Sequence, residues 1–189
     1  MGDLAERTQN VILETDRLRF ATWSRDDWQE FRKLTSDPLV VRYIGTGEAW
    51  SEERVKEFVT RQRDHWEKHG YCLWKLLPKD SDTQIGICGL QRLPVGQDVE
   101  IGWWLAPSHW GKGLATEAAR HALAYGFEVS NLERIVAIAH PANRDSQRVM
   151  DRIGMRFESE GVHKGVRVVI YAIDREVFNS QHREGHEHS

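Results

Sequence analysis

The sequence has few cysteines and no long hydrophobic run. Its two cysteines, Cys72 and Cys88, lie far apart within apolar segments of the 189-residue chain. We therefore expect buried free thiols in a reducing compartment, and neither a disulfide framework nor a metal site. No apolar run approaches the roughly 20 residues that a membrane-spanning helix needs, and residues 1–10 lack the apolar core of a signal peptide. The sequence predicts a cytoplasmic protein without membrane association.

A strong excess of either charge is also missing. The 26 basic and 29 acidic residues give a net charge of −3, and no basic cluster indicates a nucleic-acid partner. Hydrophobic residues make up 40% of the chain, enough for one globular domain with its own core. We assign that domain to residues 11–175. A flexible N-terminus at residues 1–10 and a polar, His-containing tail at residues 176–189 are expected to flank it.

The stretch that organises the chain begins with a strand and a glycine loop. Val99–Leu105 is hydrophobic and aromatic, which predicts a strand that ends near Pro107 because proline cannot donate to a ladder. Trp110–Gly113 follows with the sequence W-G-K-G, and its glycines let backbone N–H groups approach a ligand closely.

A helix is predicted from Leu114, because small residues such as Ala118 and Ala122 recur there at helical spacing. This register leaves Glu117 on the solvent side. The first helical N–H groups have no intrahelical partner and lie at the positive end of the helix dipole. The strand, loop and helix start therefore predict a site for a phosphate-bearing ligand.

Two common phosphate motifs do not fit this loop. The nucleoside triphosphate loop needs Ser or Thr after its lysine, but Gly113 follows Lys112, and Ala106 replaces the first glycine. The dinucleotide fingerprint G-x-G-x-x-G matches Gly111 and Gly113 but has Thr116 at its third glycine. The loop belongs to another class of phosphate site.

The loop resembles the acetyl-coenzyme A motif [QR]-x-x-G-x-[GA] of the GNAT N-acetyltransferase superfamily. Trp110–Ala115 matches its glycine and its final small residue, with Trp110 in place of the usual Gln or Arg. Together with P-x-x-W-G-x-G-x-A-T-E-A from residue 107 to 118, this departure resembles the RimL/RimJ-like branch. The resemblance implies acetyl-CoA as cosubstrate, no metal, and a cofactor site that consists of Leu105, Trp110, Gly111, Lys112, Gly113, Leu114, Ala115, Thr116 and Asn143.

Hydrophobic periodicity predicts an α/β fold with the element order β-α-α-β-β-β-α-β-α-β-β, which is also the GNAT order. A strand over Thr15–Trp23 opens the fold, and Leu39–Trp50 has no clear period and is expected to be a loop. Three strands joined by short turns form an antiparallel meander, and the helical crossover to Arg134–Ala139 favours parallel pairing. A hairpin around Glu160–Gly161 closes a mixed, mostly antiparallel sheet flanked by helices.

Acetyl transfer from a thioester to an amine needs a base, because amines have pKa values of about 8 to 10. Glu100 is the candidate base. It has the opposite strand parity to Val99 and Ile101, and its strand runs toward the glycine loop. The resemblance implies that a Glu at this place acts directly or through water. The alternative is a strand carboxylate that faces solvent.

The departing thiolate needs a hydrogen-bond donor. Ser146 resembles the serine that performs this task in the RimL/RimJ-like branch, whereas Met150 stands where many GNAT enzymes have a tyrosine and cannot donate a proton. The resemblance also implies that Asn143 holds the pantetheine arm and that the Leu105 backbone pairs with its amides. Helix capping is the alternative role for both Asn143 and Ser146.

The acceptor is expected to be a primary amine, either a protein N-terminal α-amine, which the resemblance favours, or a small amine such as a polyamine or an antibiotic. Leu39–Trp50 and the hairpin at Glu158–Val166 are the predicted groove walls, with Tyr43, Glu48 and Trp50 as candidate acceptor contacts. The amine is expected to attack the thioester directly in a ternary complex. The competing hypothesis is a non-catalytic regulator that binds CoA or acyl-CoA. The resemblance is compatible with a homodimer.

Overall fold

The computed structural model describes residues 11–94 and 96–186, with side chains described up to residue 181. Its strands are β1 Val11–Glu14, β2 Leu18–Ala21, β3 Leu73–Pro78, β4 Gly86–Arg92, β5 Val99–Leu105, β6 Arg134–Ala139, β7 Arg156–His163 and β8 Val166–Asp174. Its α-helices are α1 Trp28–Thr35, α2 Pro38–Val41, α3 Glu52–His69, α4 Leu114–Ala124, α5 Arg144–Arg152 and α6 Arg175–His186. A π-helical turn, Tyr125–Val129, continues α4.

All strands form one sheet in the order β1-β2-β3-β4-β5-β6-β8-β7. Neighbouring strands are antiparallel except β5 and β6, which run parallel because the helical crossover through α4 connects them. The predicted fold class, a mixed and mostly antiparallel sheet with flanking helices, is confirmed. The parallel pairing joins Val99 and Glu100 to Ile135 and Val136 and then ends. Because β5 continues to Leu105, the sheet opens between β5 and β6 beyond Glu100.

One face of β5 supports an aromatic cluster. The Trp104 ring stacks on Phe31 of α1 with centroids 6.1 Å apart and on Phe58 of α3 at 6.0 Å. Trp50 meets Trp104 edge-on at 5.3 Å. These side chains are buried or partly buried, so the cluster packs α1 and α3 against the even-numbered residues of β5.

Helix α4 packs on the opposite face. Ile101 pairs with Leu90 across β4 and β5, and a Cβ at Gly126 would lie 2.9 Å from the Leu90 side chain. The odd-numbered residues of β5 therefore face α4, which is buried through Ala118, Ala119 and Ala122. The small residues allow the helix axis to approach the sheet closely, as their spacing predicts.

The N-terminal segment forms two strands where the sequence predicts one over Thr15–Trp23. The chain bends after β1 because the Thr15 hydroxyl accepts hydrogen bonds from the backbone N–H groups of Arg17 at 3.3 Å and Leu18 at 2.9 Å. The predicted loop at Leu39–Trp50 also begins inside a short helix, α2. The Asp37 side chain caps α2 by accepting from the Leu39 N–H.

The closing hairpin turns later than predicted. Strand β7 runs through Gly161 to His163, and the turn is made by Lys164 and Gly165, with φ of 50° and 79°. Two consecutive left-handed residues are typical of a two-residue β-hairpin. Glycine was the expected turn signal at residue 161, but Gly161 is part of the extended strand.

The C-terminal segment predicted as a polar tail is helical in its described part. Helix α6 begins at Arg175, and Phe178 is 3% exposed and packs on Phe127 with ring centroids 4.8 Å apart. Its buried aromatic ring fixes this helix to the core despite the polar composition of the segment. The flexible N-terminus predicted at residues 1–10 lies outside the described residues, as do residues 187–189. None of the described helices is long and apolar enough to cross a membrane.

The β4–β5 contact predicts a sharp difference between two glycines. A Cβ at Gly86 would lie 2.2 Å from the Trp104 carbonyl oxygen, whereas a Cβ at Gly102 would have its nearest neighbour, in the Leu73 side chain, at 3.4 Å. We expect Gly86→Ala to lower the free energy of unfolding by about 1–3 kcal/mol through overpacking. Gly102→Ala is the matched control and is expected to change it by less than about 1 kcal/mol. Equal urea midpoints for the two variants would contradict the close approach at Gly86.

Candidate active site

The glycine loop has the geometry of an anion site. Gly111 and Gly113 have φ of 71° and 75°, left-handed values that residues with a Cβ rarely adopt. Helix α4 starts immediately after Gly113, which caps it without a side-chain hydrogen bond. The first N–H groups of α4, on Leu114, Ala115 and Thr116, therefore have no helical partner and are available to an anion.

The side chains of Trp110 and Lys112 donate hydrogen bonds to backbone carbonyls of the preceding residues. The Trp110 indole is 47% exposed, and its Nε1 donates to the Leu105 carbonyl at 2.8 Å. The exposed Lys112 ammonium donates to the Ser108 carbonyl at 2.8 Å. Trp110 thus fastens the loop to the end of β5, and the ammonium group of Lys112 is folded back onto its own loop.

The open edge of β5 begins where the β6 pairing ends. The Ala106 N–H donates to the Ile85 carbonyl at 2.8 Å, and the Leu93 N–H donates to the Asp98 carbonyl at 3.1 Å. In an antiparallel ladder this alternation directs the backbone groups of even-numbered residues toward β4. The backbone groups of Trp103 and Leu105 therefore face the gap between β5 and β6.

Glu100 lies at the last paired position before this gap. It is partly buried, and its carboxylate accepts a hydrogen bond from Gln91 Nε2 at 2.9 Å. Burial raises the pKa of Glu100 above its ordinary value, against the opposing effects of the Gln91 hydrogen bond and the positive charge of Lys164. Lys164 stands at the tip of the β7–β8 hairpin, so that hairpin reaches this part of the site.

Asn143 and Ser146 form the start of α5 across the gap. Asn143 Oδ1 accepts from the Ser146 N–H at 3.1 Å, and Asn143 Nδ2 donates to Ser146 Oγ at 3.3 Å. Gln147, which the sequence analysis missed, is buried and donates to the Pro141 carbonyl at 2.9 Å. Met150 is 1% exposed and belongs to the core. The turn between β6 and α5 is therefore fixed by side-chain amides.

The three candidate acceptor contacts lie in different surroundings. Tyr43 stacks on His140, at the end of β6, with ring centroids 5.4 Å apart. Trp50 is 7% exposed, and the Arg54 guanidinium lies 4.1 Å from its ring centroid. Glu48 is exposed and accepts from the Thr46 hydroxyl at 3.5 Å. The structure thus places Tyr43 beside the β6–α5 turn and Trp50 in the aromatic cluster.

Glu117 differs from its sequence-based placement on the solvent side. Its carboxylate accepts from the Thr15 hydroxyl at 2.5 Å and from Arg17 Nε at 2.6 Å. Burial raises the pKa of Glu117, but the hydrogen bonds from Thr15 and Arg17 outweigh it and hold that pKa below its ordinary value. Helical periodicity could not show this contact, because the partners are 100 or more positions apart in the chain.

A family model described as the acetyltransferase (GNAT) domain matches residues 17–156, which include the open edge of β5, the glycine loop and the start of α5. The chain belongs to the GNAT acetyltransferase family. The resemblance inferred from the loop is confirmed, and membership identifies the protein as an acetyl-CoA-dependent acyltransferase.

Individual relatives and solved structures agree with this assignment. The uncharacterized N-acetyltransferase YnaD of Bacillus subtilis (strain 168) is 38% identical over 147 residues, 77% of this chain and 83% of YnaD. The spermidine N(1)-acetyltransferase of Escherichia coli (strain K12) is 28% identical over 143 residues, 74% of this chain and 73% of that protein. The structure of RimL, a ribosomal L7/L12 alpha-N-protein acetyltransferase in complex with coenzyme A, has a TM-score of 0.72 at 16% identity and covers 87% of this chain and 97% of RimL. That likeness shows the fold alone. Acetyl transfer to an amine is the activity that these names share.

The cap of α5 predicts different stabilities for two substitutions of Asn143. Asn143→Ala removes the oxygen that accepts from Ser146 and should lower the free energy of unfolding by about 1 kcal/mol. Asn143→Asp keeps an accepting oxygen and places a negative charge at the helix N-terminus, so its stability should stay within about 0.5 kcal/mol of wild type or rise. Urea unfolding measures both. An Asp variant as unstable as the Ala variant would show that the cap is not the stabilising contact.

Proposed function

We propose that the protein transfers the acetyl group of acetyl-CoA directly to a primary amine in a ternary complex, and that the preferred acceptor is a protein N-terminal α-amine. The observation that carries this proposal is the gap between β5 and β6. One end of the gap holds the partly buried Glu100, and the other end holds the N–H groups at the start of α4. A single elongated ligand can reach both ends.

In this proposal the backbone N–H groups from Gly111 to Thr116 bind the cofactor's phosphates. The pantetheine arm lies along Trp103 and Leu105 and pairs with their free backbone groups like an added strand. The Leu105 carbonyl already accepts from Trp110, so the pairing draws on its N–H and on Trp103. Asn143 has one amide hydrogen left after its bond to Ser146 and offers it from the opposite side of the gap.

Glu100 takes the proton of the attacking amine in this proposal. Burial raises the pKa of Glu100, which makes its carboxylate a stronger base than an exposed carboxylate. Ser146 Oγ accepts from Asn143, so its own hydroxyl proton is available to the departing sulfur. Both groups touch reacting atoms, and no enzyme-bound acyl intermediate is needed.

The charges around the acceptor side favour an amine with a single positive charge. Arg42 lies over the Tyr43 ring at 5.1 Å, Arg54 lies over the Trp50 ring at 4.1 Å, and Lys164 acts on Glu100. Within the described ranges, none of these three cations forms an ion pair with a carboxylate. The positive charges of Arg42 and Arg54 beside these rings repel a polyamine, because a polyamine carries several ammonium groups. A peptide α-amine has one such group and a pKa of about 8.

The acceptor is tested by the release of free CoA from acetyl-CoA with three acceptor types: peptides with free N-termini, the same peptides with blocked N-termini and a free lysine, and spermidine. We expect turnover with free N-termini. Faster turnover with spermidine than with free N-termini would show that the preferred acceptor is a polyamine. The proposed acetyl transfer from acetyl-CoA to an amine would still hold. Tight CoA binding without turnover on any amine would favour the non-catalytic regulator. Burial raises the pKa of Cys72 and Cys88, so neither thiol should react with the assay reagent in the native protein.

The role of Glu100 is tested by Glu100→Gln and by its two neighbours. We expect Glu100→Gln to lower kcat by about 100-fold or more, with the KM for acetyl-CoA changed little. Gln91→Ala and Lys164→Gln each remove an effect that lowers the Glu100 pKa, so the acidic limb of the kcat profile should move to higher pH in both. An unchanged limb in both neighbour variants, measured between about pH 5 and 9, would exclude Glu100 as the base.

The role of Ser146 is tested by a matched pair. Ser146→Ala removes the hydroxyl donor and is expected to lower kcat about tenfold, whereas Ser146→Thr retains a hydroxyl and should lose less. Both variants keep the backbone N–H of residue 146, which donates to Asn143 Oδ1, so α5 stays capped. Equal kcat values for wild type and Ser146→Ala would leave Ser146 with a purely structural role.

A further inference from the structure

A cluster of side chains behind the glycine loop has no part in the proposed chemistry. The Glu117 carboxylate, in the first turn of α4, accepts from the Thr15 hydroxyl, from the Arg17 backbone N–H at 3.0 Å and from Arg17 Nε at 2.6 Å. Arg17 Nη2 lies 2.5 Å from the same carboxylate. These contacts hold one arginine in one orientation, which an isolated surface ion pair does not do.

The Nη1 atom of Arg17 contacts the glycine loop. Arg17 Nη1 donates to the Lys112 carbonyl at 2.9 Å, and a Cβ at Gly113 would lie 3.7 Å from Arg17 Nη2. The described chain has no cis peptide bond, so the Lys112 C=O and the Gly113 N–H point in opposite directions. The Gly113 N–H therefore points away from Arg17, and it has no acceptor in the part of the chain that the structure describes.

We propose that Arg17, oriented by Glu117 and Thr15, is a positioning residue for the phosphate loop. Its bond to the Lys112 carbonyl fixes the Lys112–Gly113 peptide so that the Gly113 N–H is presented to the cofactor's phosphates. Two left-handed glycines give this loop more conformational freedom than any other residues would. Arg17 removes that freedom before the ligand binds, and a preorganised donor binds more tightly than one that must be ordered. This inference rests on the proposed use of acetyl-CoA at this loop.

The test compares a donor that has phosphates with one that lacks them. The kinetics of acetyl-CoA and of S-acetylpantetheine are measured with one acceptor peptide for wild type and variants. We expect Arg17→Ala to raise the KM for acetyl-CoA about 10-fold to 100-fold, the equivalent of one charge-assisted hydrogen bond, with kcat nearly unchanged. The kcat/KM for S-acetylpantetheine should stay within about twofold of wild type. Glu117→Gln should shift the KM for acetyl-CoA in the same direction.

Two further variants separate positioning from charge and from stability. Arg17→Lys keeps the positive charge but cannot contact Glu117 and the Lys112 carbonyl together, so the KM should remain raised. Arg19→Ala is the matched control. Arg19 lies on β2 and donates to Asp82 at 2.9 Å and to the Ser81 carbonyl at 2.8 Å. Arg19→Ala therefore removes hydrogen bonds to a carboxylate and to a carbonyl, as Arg17→Ala does, but at a distance from the glycine loop. Its KM for acetyl-CoA should equal that of wild type.

The outcomes are distinct. A wild-type KM in Arg17→Ala, full rescue by Arg17→Lys, or equal losses with both acetyl donors would overturn the positioning role and leave the transferase proposal intact. A wild-type protein that neither binds CoA nor releases it from acetyl-CoA would overturn the proposed function, and this inference with it. A selective KM effect that lysine does not rescue would establish Arg17 as the residue that orders the loop.

Discussion

The separation of β5 from β6 after Glu100 is the constraint on which the site depends. Backbone groups inside a sheet need partners, and an unpaired edge is costly when it is shielded from water. Here the edge at Trp103 and Leu105 is left open, with one carbonyl satisfied by the Trp110 indole. The strand can stay apart from its neighbour because both of its faces are packed, by aromatic rings on one side and by the small residues of α4 on the other. The packing of aromatic rings and α4 on the two faces of β5 therefore leaves an unpaired backbone edge that a ligand can contact.

The electrostatics of the site depend on the burial of Glu100. Glu100 lies on the same face of β5 as Trp104, four residues away along the strand, and is partly buried. Removal of water disfavours the charged carboxylate, whereas the Gln91 amide and the Lys164 charge favour it. Burial is the largest of these effects and raises the pKa.

Local chemistry made part of this structure predictable from the sequence. Val99–Leu105, the two glycines before Leu114 and the Asn143 cap each follow from strand composition, left-handed backbone or helix capping within a few residues. The misplaced features depend on contacts between distant parts of the chain. Helix α6 is fixed by Phe178 against Phe127, and Glu117 is withdrawn from solvent by Thr15 and Arg17. Periodicity treats each segment alone, so it could not show that a polar position on α4 had a partner on the N-terminal bend.

The segment between α2 and α3 contacts both the β6–α5 turn and strand β5. Tyr43, in the segment between α2 and α3, stacks on His140, whose Nδ1 accepts from the Ala142 N–H at 3.1 Å just before Asn143. At its other end that segment is held by Trp50 against Trp104. The proposed acceptor wall, Leu39–Trp50, therefore contacts the turn that carries Asn143 and the strand that carries Glu100. Because these rings are buried or partly buried, a shift of the segment between α2 and α3 would disturb the β6–α5 turn or strand β5. If this segment binds the acceptor as proposed, the acceptor site and the groups proposed for acetyl transfer belong to one packed unit.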